Sequence, residues 1–352
     1  MGSVNTQATR STLTSVDTTL SENITATQDY IPVASTTNFS TSVVAEIEST
    51  NEVVSFTDIS ENLIIYSEDL TQGYWGKAQS TITGDTSVAP DGTTTADTLT
   101  ADAGVATFSN VRALGSFTSG VNHTFSVHVK AGTHSFVSLG TNNSFSDGQF
   151  NLSNGTVISG SKASIEDKGN GWYRCSVKNL TPGGARAGFI QFCDASGNRT
   201  LTFTGSETLL LWGAQMELGT DIEPPTTYLP TNGSALVGLT GVTRGVNGTT
   251  AQAASSGDSI QQLPYALGSV DMPVRLRAIS VSPDGTGAAR LTLCDNNGDT
   301  LCDVDIPDGK SYTLNLPEDG IVFPNGVFVS NTVKITAYTV YTEKYSGPYL
   351  TS

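Results

Sequence analysis

The chain holds three histidines, His123, His128 and His134, and all lie within one short stretch. A nucleophile–base pair needs such a ring within reach of a serine or cysteine. No carboxylate–histidine–nucleophile motif surrounds these three, and alternation puts His128 on one strand face with Ser126 and Lys130. They read as surface histidines, and no catalytic residue is assigned. Their separations of five and six residues do not fit helical metal-ligand spacing, so no metal or other cofactor is assigned either. Paired carboxylates are the other route to hydrolysis. Glu68 with Asp69, and Glu318 with Asp319, are neighbours that point to opposite faces of an extended chain. Asp303 and Asp305 share a face, where they are expected beside Thr292 on the solvated side of a hairpin. Asp295, Asn297 and Asp299 alternate as in a calcium loop, but Thr300 stands where an EF-hand needs glycine, and a hairpin turn explains the same letters. Sugar binding would use exposed aromatics. Trp75, Tyr74 and Phe145 lie in loop-like surroundings and are the candidate carbohydrate-binding residues, whereas Trp172 and Trp212 sit inside strand motifs and read as core. The alternative for Trp75 is a cap over one end of the fold, its indole N–H paired to backbone.

The elements that would position these residues are strands. The run T-F-S-V-H-V-K puts Phe125, Val127 and Val129 on one face and Thr124, Ser126, His128 and Lys130 on the other, the period of a half-buried antiparallel strand. Similar runs cover residues 62–66, 135–140, 172–177, 188–193 and 209–217, separated by Gly/Asn/Asp turns, with no amphipathic helix. Many short strands imply an all-β fold of packed sheets. Residues 24–59 read as three short strands, with 38–42 and 49–51 as turns. The 352 residues allow two or three domains, and 17 Lys and Arg against 33 Asp and Glu give a net charge of −16, which argues against a nucleic-acid partner. No apolar run approaches the ~18 residues of a membrane helix, so no membrane partner is expected. Nor does the N-terminus carry a secretory signal. Of the four cysteines, Cys175, Cys193, Cys294 and Cys302, none has C-x-x-C spacing. A two-residue Asn297–Gly298 turn would set Cys302 opposite Leu293, whereas a three-residue loop would bring Cys294 and Cys302 together. The first is the favoured turn chemistry, with reduced thiols expected.

Six islands stand in order between residues 62 and 231. They are Asn62-Leu63 with Tyr66-Ser67-Glu68-Asp69 and Trp75; Ala89-Pro90-Asp91-Gly92-Thr93 with Ala96-Asp97; Thr124-Phe125-Ser126-Val127 with Lys130-Ala131-Gly132; Gly171-Trp172-Tyr173-Arg174; Leu211-Trp212-Gly213-Ala214-Gln215-Met216-Glu217; and Tyr228-Leu229-Pro230-Thr231. This body resembles the carbohydrate-binding-module-like jelly roll of many phage virion proteins. The resemblance implies a β-sandwich and a virion setting, with motif residues that look largely structural. Ile31, Pro32, Val33, Phe39, Ile47, Glu52, Val54, Phe56 and Thr57 resemble a small β module near the N-termini of phage tail and fibre proteins. Arg275-Leu276-Arg277-Ala278-Ile279-Ser280-Val281, Pro317 with Gly320-Ile321-Val322-Phe323, and Gly326-Val327-Phe328-Val329 resemble small virion β-sandwich modules of marine phages.

The expected organisation is therefore a leader and docking module at 1–60, a jelly roll at 61–231, a Gly-rich linker at 232–262 and a C-terminal β-sandwich at 263–352. The polar leader would be disordered alone, so docking onto a sister subunit or another virion protein (capsid or tail) is expected to hold it. The expected function is assembly and display as a non-enzymatic decoration or fibre component of a virion assembled in the host cytoplasm, with a homotrimer carried over from such proteins. Two alternatives stand beside it: a host-recognition adhesin that binds surface glycan through the jelly roll, and a glycan-cleaving tail enzyme.

Overall fold

The computed structural model describes residues 16–37, 39, 43–115, 117–140, 147–180, 187–219, 224–246, 249–262, 274–283, 287–294, 300–307, 310, 312–315, 321–323, 328–333 and 335–344. These residues are all-β, with no helix among them. The chain divides into two compact units, Ile59–Gly238 and a discontinuous one made of Met1–Asp58 with Leu239–Ser352.

The continuous unit is a sandwich of two six-stranded antiparallel sheets. One runs Thr156–Ser159, Gly148–Asn151, Phe136–Gly140, Ala187–Phe192, Asn110–Ala113, Trp75–Ala78. The other runs Ala163–Gly169, Trp172–Leu180, His123–Ala131, Thr208–Leu218, Ala96–Ala101, Ser80–Ser87. One continuous core joins their inner faces: Val137, Leu139, Ile190 and Phe192 from the first, Phe125, Val127, Val129, Val177, Leu211 and Met216 from the second. Phe125, Val127 and Val129 are wholly buried there, as their spacing predicts, and each such side chain contributes about 1.5–3 kcal/mol by leaving water.

The opposite face of that strand departs from expectation. Thr124, Ser126 and His128 are at most 4% exposed, so the strand is buried on both sides. Residues 62–66, expected as a strand, are mostly irregular: only Asn62 ends the Asp58–Asn62 strand, and Tyr66 makes a single bridge to Asn232.

In the discontinuous unit, the strands Val16–Thr19, Ser259–Gln262, Val43–Ile47 and Glu52–Phe56 form one sheet in that order. The expected turn at 49–51 is present, with Asn51 at φ 52. The stretch 232–262 is not the flexible linker its small polar residues suggested. It contributes Ser259–Gln262 to the middle of that sheet, paired to both Val16–Thr19 and Val43–Ile47. Arg244 reaches from it to Glu52 through two contacts of 2.7 and 2.8 Å, and the pair is 8% and 0% exposed. Glu52 also accepts from the backbone N–H groups of Gly245 and Gln252, so the buried charges are fully bonded.

Further along, Val274–Pro283 pairs with Tyr312–Asn315, Ile321–Phe323 and Ile335–Lys344, and Ala289–Cys294 lies between Thr300–Ile306 and Phe328–Val333. The backbone register sets Leu293 opposite Cys302 and shifts after it, so that Cys294 lies opposite Thr300. The Leu293–Cys302 pairing is as expected, but an uninterrupted two-residue turn would set Cys294 opposite Leu301, and the shift puts Thr300 there instead. The turn itself, with Asp295, Asn297 and Asp299, lies outside the described residues.

Candidate functional site

The polar outer face of the second sandwich sheet gathers most of the chemistry-bearing side chains. Three adjacent strands supply them: Thr124, Ser126 and His128 from His123–Ala131; Trp172, Arg174 and Ser176 from Trp172–Leu180; Trp212, Gln215 and Glu217 from Thr208–Leu218. Between Ser126 and His128 the pairing with Thr208–Leu218 shifts register. Gly213, at φ 60, sits in this bulge, and a Cβ there would meet His128 Nδ1 at 2.9 Å, so the site demands glycine.

The segment 224–231 lies over this face and is held by side chains. Arg174 donates to Ser126 Oγ through Nε and Nη2, and through Nη1 to the Thr226 carbonyl at 2.7 Å. Gln215 Oε1 accepts from the Leu229 N–H at 2.8 Å, and its Nε2 donates to Thr226 Oγ1 at 3.2 Å. Glu217 accepts from the Thr226 N–H and from its hydroxyl. The Tyr228 hydroxyl bonds Ser67 Oγ at 2.6 Å and donates to Glu68 at 3.1 Å. The Tyr228 ring packs against Trp212 and His128, centroids 4.7 and 5.8 Å away. Trp172 and Trp212, with Ala89 and Ala96, form a small apolar cluster here, apart from the main core.

Removal from water sets the electrostatics of this layer. Burial, with the Arg174 cation second, pushes His128 down to about 3, so the ring is neutral at pH 7. Burial raises Glu217 and Glu68 above the usual carboxylate range, against the hydrogen bonds from Thr226 and Tyr228. Beside the layer, a pocket of ≈ 280 Å³ opens between the Ala163–Gly169 strand and Pro224–Pro225, with Arg174, Ser176 and Ser164 in its lining.

Of the residues nominated as a sugar platform, Trp75 is not exposed. It lies in the main core at 1% exposure, its Nε1 donates to the Tyr66 carbonyl at 2.8 Å, and Tyr74 packs edge-on to its ring. The indole N–H is paired to backbone, as the non-ligand alternative expected, and the ring is buried. Tyr74 is half-buried against Trp75 and Tyr66. Phe145 lies outside the described residues.

The histidines are not surface residues and do not converge. His123 is buried against Phe117, His134 is half-buried against Phe136 and Phe192 with Nε2 2.7 Å from the Cys193 carbonyl, and His128 belongs to the layer above. Glu68 and Asp69 part as expected: Asp69 turns to Thr71 and Gln72 while Glu68 meets Tyr228. Asp303 and Asp305 are exposed and bond Thr292 and Arg290 respectively. Glu318 and Asp319 lie outside the described residues. Among the described residues, no group of three or more His, Cys, Asp or Glu side chains is placed to hold a metal.

Sequence reasoning missed Arg174, Gln215, Glu217 and Thr226 as a connected set. The alternation in A-Q-M-E gave the first hint, since it puts Gln215 and Glu217 on one face. Comparison of the chain with protein-family models and with curated proteins finds no match.

Proposed function

We propose that the chain is a non-enzymatic structural component of a phage virion, a capsid decoration or head or tail fibre part that acts by assembly and surface display. The observation that carries this reading is where the six sequence islands lie. Asn62 is wholly buried and bonds Ala214, Leu229, Ile64 and Met216; Ser67 bonds Thr231; Asp97 accepts from the Leu70 and Asp85 N–H groups; Trp75, Trp172, Trp212 and Gln215 are buried with their polar atoms paired. Residues that resemble the virion jelly roll therefore lock the sandwich to itself, as framework residues should. The adhesin alternative is weakened by the burial of Trp75, its first candidate residue. Of the carboxylate pairs weighed for the enzyme alternative, Glu68 and Asp69 turn to different partners, and Asp303 and Asp305 are exposed, one bonded to Thr292 and the other ion-paired to Arg290.

In this reading the discontinuous unit attaches the chain to neighbouring virion proteins, and a homotrimer is the assembled form. Antibody raised to residues 263–345 should label purified particles under the electron microscope, and peptides of the chain should copurify with them. A chain that remains in the lysate and never sediments with particles sinks the proposal.

A further inference from the structure

Thr226, Gln215 and Glu217 are arranged for a reaction among themselves. Gln215 is wholly buried and Glu217 is 1% exposed, so water is kept from both. The Thr226 hydroxyl lies against the Gln215 carboxamide, with Oγ1 3.2 Å from Nε2, and donates its proton to Glu217 Oε1. On its other side the carboxamide oxygen accepts from the Leu229 N–H at 2.8 Å, where negative charge would develop if a nucleophile added to Cδ. Arg174 fixes the Thr226 carbonyl at 2.7 Å, so the nucleophile is anchored through its own backbone. Glu217 Oε2 is buried with no hydrogen-bond partner among the described residues, a further acceptor for a travelling proton. The site thus holds a hydroxyl nucleophile, a base in contact with it, an acyl group beside it and a donor for the oxyanion.

We propose that Thr226 and Gln215 form an intramolecular ester cross-link, with Glu217 as the base. Thr226 Oγ bonds to Gln215 Cδ as its proton passes to Glu217. The Cδ–Nε2 bond then breaks, the same proton moves to the leaving nitrogen, and ammonia departs; no oxidant or co-reactant is needed. A primary amide is a poor electrophile, but the reaction needs to occur once per chain, and fixed proximity compensates for low intrinsic reactivity. Burial assists twice: it raises the basicity of Glu217 and shields the ester from hydrolysis. The product ties the 224–231 segment covalently to the Thr208–Leu218 strand, a useful closure for a protein exposed on a particle.

The test is the mass of one peptide from the purified full-length chain. Trypsin cuts at Arg199 and Arg244 and at no site between them, so residues 200–244 leave as a single piece. That piece is expected one ammonia light, about 17 Da, with no backbone fragment ions between 215 and 226. Hydroxylamine should open the link to a hydroxamate at position 215. Thr226→Val, which keeps the side-chain shape, should restore full mass, as should Glu217→Gln. A peptide of unmodified mass from folded wild-type protein overturns the proposal. So does an ammonia loss that persists in Thr226→Val, which would trace instead to succinimide formation at Asn232–Gly233.

Discussion

Asn62 is wholly buried, and its side-chain amide makes four hydrogen bonds: Nδ2 to the carbonyls of Ala214 and Leu229, Oδ1 from the N–H groups of Ile64 and Met216. Truncation would strand these groups without water, each at a cost of about 1–3 kcal/mol where nothing replaces the bond. Asn62→Ala should therefore lower unfolding free energy by about 3 kcal/mol or more in urea titration. A loss below about 1 kcal/mol would show that solvent reaches the site. His128 makes a second residue-scale prediction. Its folded pKa lies below its unfolded value of 6.5, so the unfolded chain binds the extra proton first and stability is lost as pH falls from 6.5 towards 3. His128→Phe, which keeps a ring beside Trp212 and Tyr228, should flatten that acid-side decline in melting temperature between pH 6.5 and 4. The thiols make a third. Cys175 and Cys193 are buried and free, and burial pushes both up, Cys193 to about 12, so neither should react with iodoacetamide at pH 8 until denaturant is added.

At the scale of elements, the Glu52–Arg244 pair holds the Glu52–Phe56 strand to residues far along the chain. Arg244 also donates to the carbonyls of Thr25, Gln28 and Gln252, so one guanidinium ties three segments together. Removing one partner leaves an unpaired charge in a dry site, and Arg244→Ala should cost about 3–5 kcal/mol by thermal or urea unfolding. Replacing both partners with apolar residues of similar volume should cost less than that single change. A double replacement as damaging as the single one would mean that the pair is worth more than its desolvation. The arrangement also explains why 232–262 looked like a linker. Its side chains are small and polar because they bond to backbone and to one ion pair, whereas a strand read from sequence announces itself by apolar alternation.

At the scale of the whole molecule, the net charge of −16 means that carboxylates dominate the response to pH. Glu46, packed in the Val43–Ile47 strand, is raised to about 7 by burial first and Glu48 second. Its folded value lies above its unfolded 4.5, so its contribution is whole below 4.5 and lost as pH rises through 7. Asp97, raised to about 6 chiefly by burial, acts in the same sense in the sandwich unit. Wild-type protein should melt higher at pH 6 than at pH 8, and Glu46→Gln should shrink that difference. An unchanged difference would place the titration elsewhere. The sandwich unit also has its two ends bound to each other: Ser60 to Thr227, Asn62 to Leu229, Ser67 to Thr231 and Gly233 to Ile65. Such closure lets the inserted body hold itself together through its own ends.

By itself the sequence determined the all-β class and the inward set Phe125, Val127 and Val129. Both follow from local geometry, because a two-residue repeat marks a strand and assigns its faces. The same repeat assigns Gln215 and Glu217 to one face once their strand is known. Only tertiary structure decided that this face is covered, that Trp75 lies inside, that Ser259–Gln262 pairs between Val16–Thr19 and Val43–Ile47, and that Thr226 meets Gln215. Alternation says which side chains point together and nothing of what lies over them. Glu52 and Arg244 stand 192 residues apart, and a contact so distant in sequence leaves no periodic trace in either neighbourhood. The chain reveals such partners only when folding removes both from water, because only then must each polar group find another.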